Sequence, residues 1–203
     1  MEKGCDIWLT DLSSSKYDPR SFIIPQKPEM WHYYCHLPIR FQMRAPLTLA
    51  PNMLIDNMAL EHRVALWMSW YYKAKGVFIW AGNREWDVLK DFWKTHKIKN
   101  KEYRFPYGGI HHGNGFLVYP PREKGGEVLP SLRLKILRDG IEDIAIFESI
   151  IERYGERWRK IISPVPEVFC HPHYYDNLPE TLLLKREKIL KRLKRTKGRY
   201  KNV

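Results

Sequence analysis

The residues best equipped for chemistry fall close together, with Ser131, Arg133, Arg138, Asp139, Glu142 and Asp143 all inside one stretch of helical periodicity. Glu142 and Asp143 are the only adjacent acids in the chain, and paired carboxylates are what general acid–base hydrolysis uses. Their place inside a helix makes them structural candidates first. His32 and His36 are separated by three residues. On a strand, at about 3.3 Å per residue, both would share a face but stand more than about 10 Å apart, too far to hold one metal. The pairs His111-His112 and His171-x-His173 read as surface histidines. Cys5, Cys35 and Cys170 are odd in number and lack C-x-x-C spacing, which argues for reduced thiols rather than a disulfide framework or a zinc site. Neither metal nor cofactor is expected.

The chain has 203 residues, 44% hydrophobic and 14% aromatic, enough for one domain with a real core. Its eight tryptophans and twelve tyrosines suit a core, and also a sugar-stacking surface, because a pyranose ring offers C–H groups to an aromatic face. The net charge of +12 is concentrated at one end. Between Lys185 and Lys201 ten basic residues stand against Glu187 alone, which leaves a surplus of three elsewhere. Such a tail gives salt-sensitive, sequence-blind affinity for polyanions. No helix-turn-helix, zinc-finger or RNA-recognition pattern accompanies it, so nucleic-acid binding is not the primary expectation. No stretch has the length or apolarity of a signal peptide core or a membrane span, and the expectation is a soluble, cytoplasmic protein.

These residues need elements to position them. Apolar runs predict strands near 5–11, ending on Asp11, and near 30–36, 76–81 and 116–119. Asp56 and Asn57 are suited to cap a helix whose buried stripe is Leu60, Val64, Trp67 and Tyr71. Pro120, Pro121, Gly125 and Gly126 break the chain after Tyr119. A long helix over 130–154 follows, with Pro130 in its first turn and Leu134, Leu137, Ile141, Ile144, Phe147 and Ile151 on its buried face. Gly140 in its middle costs about 1 kcal/mol relative to alanine, which implies a neighbour packed close against it. The order is the rhythm of a parallel α/β arrangement.

The string GNGFLVYP from Gly113 to Pro120, then SLRL, then RDGIED resembles the signature of glycoside hydrolase family 123, written around G-D-G-F-L-x-Y-P, S-x-R-L and R-D-G-x-E-D-Y. The sequence departs from it at Asn114 and Ile144. Upstream, Trp31, Tyr33, Cys35, Ile55, Asp56, Arg63, Trp67, Trp70, Gly76, Trp80 and Asn83 fall in step with the family's W-x-Y-x-C and following motifs. LPETLLLKREKILKRL from Leu178 resembles its closing helix, with Arg186 inside. The structural signature is therefore Arg63, Gly113, Tyr119, Arg133, Arg138, Asp139, Glu142 and Asp143.

The resemblance implies the C-terminal half of a (β/α)8 TIM-type barrel over 1–177, with a closing helix and basic tail over 178–203. A complete barrel has eight strands in about 250 residues, and three or four can be placed here. It also implies action on terminal N-acetylgalactosamine. In that family the sugar's own acetamido oxygen attacks the anomeric carbon, helped by an adjacent Asp-Glu pair. That pair is expected upstream of the matched region and has no counterpart here. No catalytic residue is assigned, and the chain is expected to be a fragment or an inactive remnant. Tyr33, Trp80 and Asn83 are the leading substrate-binding candidates, with Asp56, Glu61 and Asp11 behind them. The expected partners are carbohydrate and either an upstream barrel half or a second copy of the chain. The alternatives are a non-catalytic carbohydrate-binding or scaffold protein, and polyanion binding through the basic tail.

Overall fold

The computed structural model describes residues 7–11, 29–34, 51, 53, 58–83, 116–172, 174–176 and 178–200. Asp56, Gly113, Asn114, Cys5, Cys35, His36, His111, His112 and His173 lie outside the described residues.

Strands β1 (Ile7–Asp11), β2 (Glu29–Tyr34) and β3 (Gly76–Ile79) form a parallel sheet with β2 in the centre. Leu9 pairs with Trp31 and Asp11 with Tyr33, while Trp31 pairs with Gly76 and Tyr33 with Phe78. Alternation along β2 divides the sheet's two sides. His32 and Tyr34 are buried against helix α1 (Glu61–Tyr71). Tyr34 Oη donates to the Ala65 carbonyl at 2.7 Å, and Ser69 Oγ lies 2.8 Å from Tyr34 Oη and 2.9 Å from His32 Nδ1. Those contacts run α1 antiparallel to β2, as a β-α crossover requires. The opposite side carries Trp31 and Tyr33, with Ile7, Leu9 and Phe78 exposed to 46%, 44% and 48%.

The expected stripe on α1 is too narrow. Every residue from Glu61 to Trp70 is buried, whereas Tyr71 is exposed, because the sheet covers one side of the helix and α2 (Leu132–Tyr154) the other. Nor do Asp56 and Asn57 occupy the cap. The helix starts at Glu61 with Leu60 in the N-cap position, downstream of both.

The long helix starts two residues later than expected, at Leu132. Pro130 pairs with Val118 in strand β5 (Leu129–Pro130), and Ser131 is the N-cap, its Oγ accepting from the Leu134 amide at 3.1 Å. Its buried face runs through Arg133, Leu137, Gly140, Asp143, Phe147 and Ile150–Ile151. Ile141, placed in the core by the periodicity, is 60% exposed. The stripe is rotated because Gly140 marks the closest approach of α1. A Cβ there would stand 2.6 Å from Leu66 Cδ1 and 3.4 Å from Arg63 Cγ, the close packing its mid-helix position implied. Gly140→Val should lower stability by about 1–3 kcal/mol through overpacking, despite valine's better helix propensity. Urea unfolding with an unchanged m-value would register it, and a stabilised variant would show that α1 can retreat.

The run near 116–119 is not a fourth parallel strand. Strand β4 (Val118–Tyr119) folds back antiparallel onto β5, because the intervening turn, with Gly125 at φ 82°, reverses the chain. This hairpin docks just past β3, where the Leu117 and Val118 amides both donate to the Gly82 carbonyl at 2.8 and 3.0 Å. Beyond α2 come α3 (Arg157–Ile162), a second hairpin of β6 (Phe169–His171) and β7 (Tyr174–Tyr175), and α4 (Pro179–Tyr200). Asp176 fastens the start of α4, accepting from the Leu178 amide at 2.8 Å and Thr181 Oγ1 at 2.6 Å, and these bonds hold its carboxyl below the usual range. The closing helix is no mere tail, since Leu182, Lys185 and Ile189 are buried in the fold.

Candidate functional site

The three helices converge on one carboxylate. Asp143 is 1% exposed and accepts from Arg63 Nε at 2.6 Å, Trp67 Nε1 at 2.9 Å and Arg186 Nε at 2.6 Å. Arg63 and Trp67 come from α1, Asp143 from α2 and Arg186 from α4. A second buried cation, Arg133, donates to the Met53 carbonyl at 2.9 Å, to the Phe116 carbonyl, and to Tyr119 Oη at 3.4 Å. It ties the β4 hairpin and the 51–53 segment to the start of α2. Arg63, Arg133, Tyr119 and Asp143 thus act as a positioning frame.

The remaining signature residues do something else. Arg138 faces solvent beside Asp139, at 2.9 Å, and Glu142, at 3.6 Å. The only adjacent acids are therefore split between two environments. Asp143 is locked between guanidinium groups and Glu142 points to water.

The C-terminal ends of the parallel strands hold the other candidates. Tyr33 is half-buried, its ring 5.7 Å from that of Phe78. Trp80, just past β3, is 42% exposed, and its backbone N–H donates to the Tyr34 carbonyl at 2.8 Å. Asn83 is exposed and forms an isolated antiparallel bridge with Phe116. Backbone pairing thus brings Tyr33, Trp80 and Asn83 to one end of the sheet, the end reached by Asp11 on β1. Because α1 runs antiparallel to β2, its first residue, Glu61, lies at that end too. Glu61 is buried, however, and accepts a hydrogen bond from Tyr175 Oη at 2.8 Å. Burial and the Glu61 charge push the Tyr175 phenol above its ordinary value, so it stays a donor.

Tyr175, Ser69 and the neutral role of His32 were not visible in the sequence. The paired tyrosines at 174 and 175 read as generic β-formers, and nothing local marks the second as the partner of a residue 114 positions away. His32 is a fully buried core histidine. Among the described residues no group of three or more His, Cys, Asp or Glu side chains could hold a metal ion. Among them, too, no helix is long and apolar enough to cross a membrane.

A mixed helix-and-strand fold with a parallel sheet and aromatic residues at its C-terminal ends is compatible with the α/β architecture of glycoside hydrolases. Residues 8–150 match the catalytic domain of glycoside hydrolase 123, and the chain belongs to that family. Among solved structures it is similar to a family 123 glycoside hydrolase from Clostridium perfringens, described for glycolipid glycan hydrolysis, at 16% identity and a TM-score of 0.46. That match covers 79% of this chain and 25% of the other, so the chain spans about a quarter of that protein's length. A comparison with curated proteins finds no match.

Proposed function

We propose that this chain forms the C-terminal part of a (β/α)8 barrel that holds a terminal N-acetylhexosamine, N-acetylgalactosamine, over the C-terminal ends of β1 to β3. The observation that carries the reading is the apolar, half-exposed side of the sheet, where Ile7, Leu9 and Phe78 are exposed to 46%, 44% and 48%. In such a barrel the helices lie outside and the strands fill the interior with their inward side chains. Leu9, Trp31, Tyr33 and Phe78, on the side of the sheet away from α1, have the apolar character of an interior layer. An upstream barrel segment or a second copy of the chain would cover them.

In this arrangement Trp80 stacks on the sugar, while Tyr33 and Asn83 hydrogen-bond its hydroxyl or acetamide groups. Glu61 stands behind them, Asp56 is a further candidate contact that lies outside the described residues, and the Asp143 frame holds α1 in place. Cleavage by the acetamido oxygen needs an acid to protonate the leaving oxygen and a carboxylate to orient the acetamide. No residue assigned here fills either role, so the chain alone should bind without turnover.

The test joins light scattering with hydrolysis of a chromogenic N-acetylgalactosaminide. The expected result is no turnover by the chain alone and turnover once the complementary barrel segment is added. Turnover by a monomer would overturn the division of labour, and Asp11 and Glu61 would then be the carboxylates to mutate. Trp80→Ala should weaken N-acetylgalactosamine binding by roughly tenfold, the order of one aromatic stacking contact. Unchanged calorimetric affinity would remove Trp80 from the site. A second reading, a carbohydrate-binding protein that never cleaves, draws on the separation of Glu142 from Asp143; it would bind sugar equally well but gain no activity from any partner segment.

A further inference from the structure

Between α4 and α3 runs a groove of about 580 Å³, bounded across from α4 by Ile161 of α3 and by Glu167. Among the described residues its lining holds five cations, Lys185, Lys188, Lys191, Arg192 and Arg195, and one carboxylate, Glu167. The cations are not equivalent. Glu167 is taken by Lys185 at 2.8 Å and Lys188 at 3.1 Å, which hold its carboxyl below the usual range, and Lys191 pairs with Glu187 at 2.7 Å. Among the described residues, Arg192 and Arg195 form no ion pair. Standing three positions apart, they project from the same side of the helix. Two adjacent guanidinium forks match the oxygens of a tetrahedral oxyanion. The apolar part of the lining is aliphatic, from Ile161 and Ile189.

We propose that this groove binds a sulfated carbohydrate, with Arg192 and Arg195 taking the sulfate oxygens while Ile161, half-buried on the opposite wall, meets the C–H face of the sugar. Nucleic acid also carries oxyanions, but basic grooves hold single strands largely by stacking bases on aromatic rings, and among the described residues no aromatic side chain lines this one. The choice of a carbohydrate rests on the reading that the chain handles sugars. It adds an anionic subsite on the helical side, away from the sheet face.

Calorimetry at near-physiological salt would compare dextran sulfate, unsulfated dextran and a single-stranded oligonucleotide of similar charge. Dextran sulfate should bind, unsulfated dextran should not, and the oligonucleotide should bind at least about tenfold more weakly. The double variant Arg192→Gln/Arg195→Gln should lose about tenfold or more in affinity for dextran sulfate. Lys194→Gln, which removes one charge from the same helix outside the groove, should change little. Both arginines are exposed, so circular dichroism should show the fold intact. An oligonucleotide binding as tightly as dextran sulfate, or a double variant no weaker than the Lys194 control, would overturn the proposal. Neither polymer contains N-acetylgalactosamine, so failure here leaves the hexosaminide experiment untouched.

Discussion

Asp143→Ala should lower the unfolding free energy by about 3–5 kcal/mol, the largest effect of any single substitution considered for this chain. The carboxylate is 1% exposed and sits between two guanidinium groups at 2.6 Å each. Removing it leaves Arg63, in a side chain only 10% exposed, as an uncompensated buried cation, and it also orphans the Trp67 N–H. For a chain of this length the midpoint of thermal unfolding should fall on the order of 10 °C. Arg186→Ala should cost less, because Arg186 is a third exposed and water can replace part of what it loses. The ranking separates a buried frame from a set of surface pairs. Urea unfolding of the two variants would decide it, and a loss below about 1 kcal/mol for Asp143→Ala would mean that Arg63 reaches solvent in the folded protein. Replacing Asp143 and both arginines together by apolar residues should recover much of the stability, since the penalty comes from unpaired charge rather than from the absence of ions as such.

This frame also explains what could and could not be read from the chain. The strings SLRL and RDGIED carried the family resemblance, and Arg133 and Asp143 within them turn out to be buried and bonded, while Arg138 and Glu142 are on the surface. Sequence spacing could not sort them. Periodicity predicted a buried stripe through Ile141, but the helix packs by its glycine, and a contact made by a missing side chain leaves no apolar signal. The same limit applied to α1. A helix covered on both sides has no stripe, so counting apolar steps identified Val64 and Trp67 and overlooked Glu61, His62 and Arg63, all buried. The run near 116–119 had strand composition, and only the return of Leu129–Pro130 made it a hairpin rather than another parallel strand. Tyr33, Trp80 and Asn83 fall near the ends of apolar runs, and the structure places Tyr33 next to the last residue of β2 and Trp80 and Asn83 beyond β3, where a parallel sheet gathers its side chains. Glu61 gave no sign of its Tyr175 partner, because contacts across such sequence distances are set by topology, not by local pattern.

The second large effect should appear as a pH dependence. His32 is fully buried beneath α1, and burial pushes its pKa down from 6.5 to about 4. In the unfolded chain the imidazole takes a proton near pH 6.5; in the folded protein it resists until about pH 4. The unfolded state therefore binds more protons in between, and folding stability must fall as the pH falls through that window. The contribution is complete above pH 6.5 and lost progressively below it, amounting to about 3 kcal/mol by pH 4. Nδ1 lies 2.9 Å from Ser69 Oγ, and charging the ring would set a cation into the interface between β2 and α1. His32→Gln keeps a hydrogen-bonding side chain of similar reach without the titration. Its stability at pH 7 should be lower than that of the parent, yet its loss between pH 6.5 and 4 should be shallower by most of that amount. Urea midpoints measured at several pH values would show the two curves converging toward acid. Parallel curves would mean that His32 is already charged in the folded protein or reaches water, and the packing of α1 on β2 would then have to be looser than the contacts of Tyr34 and Ser69 describe.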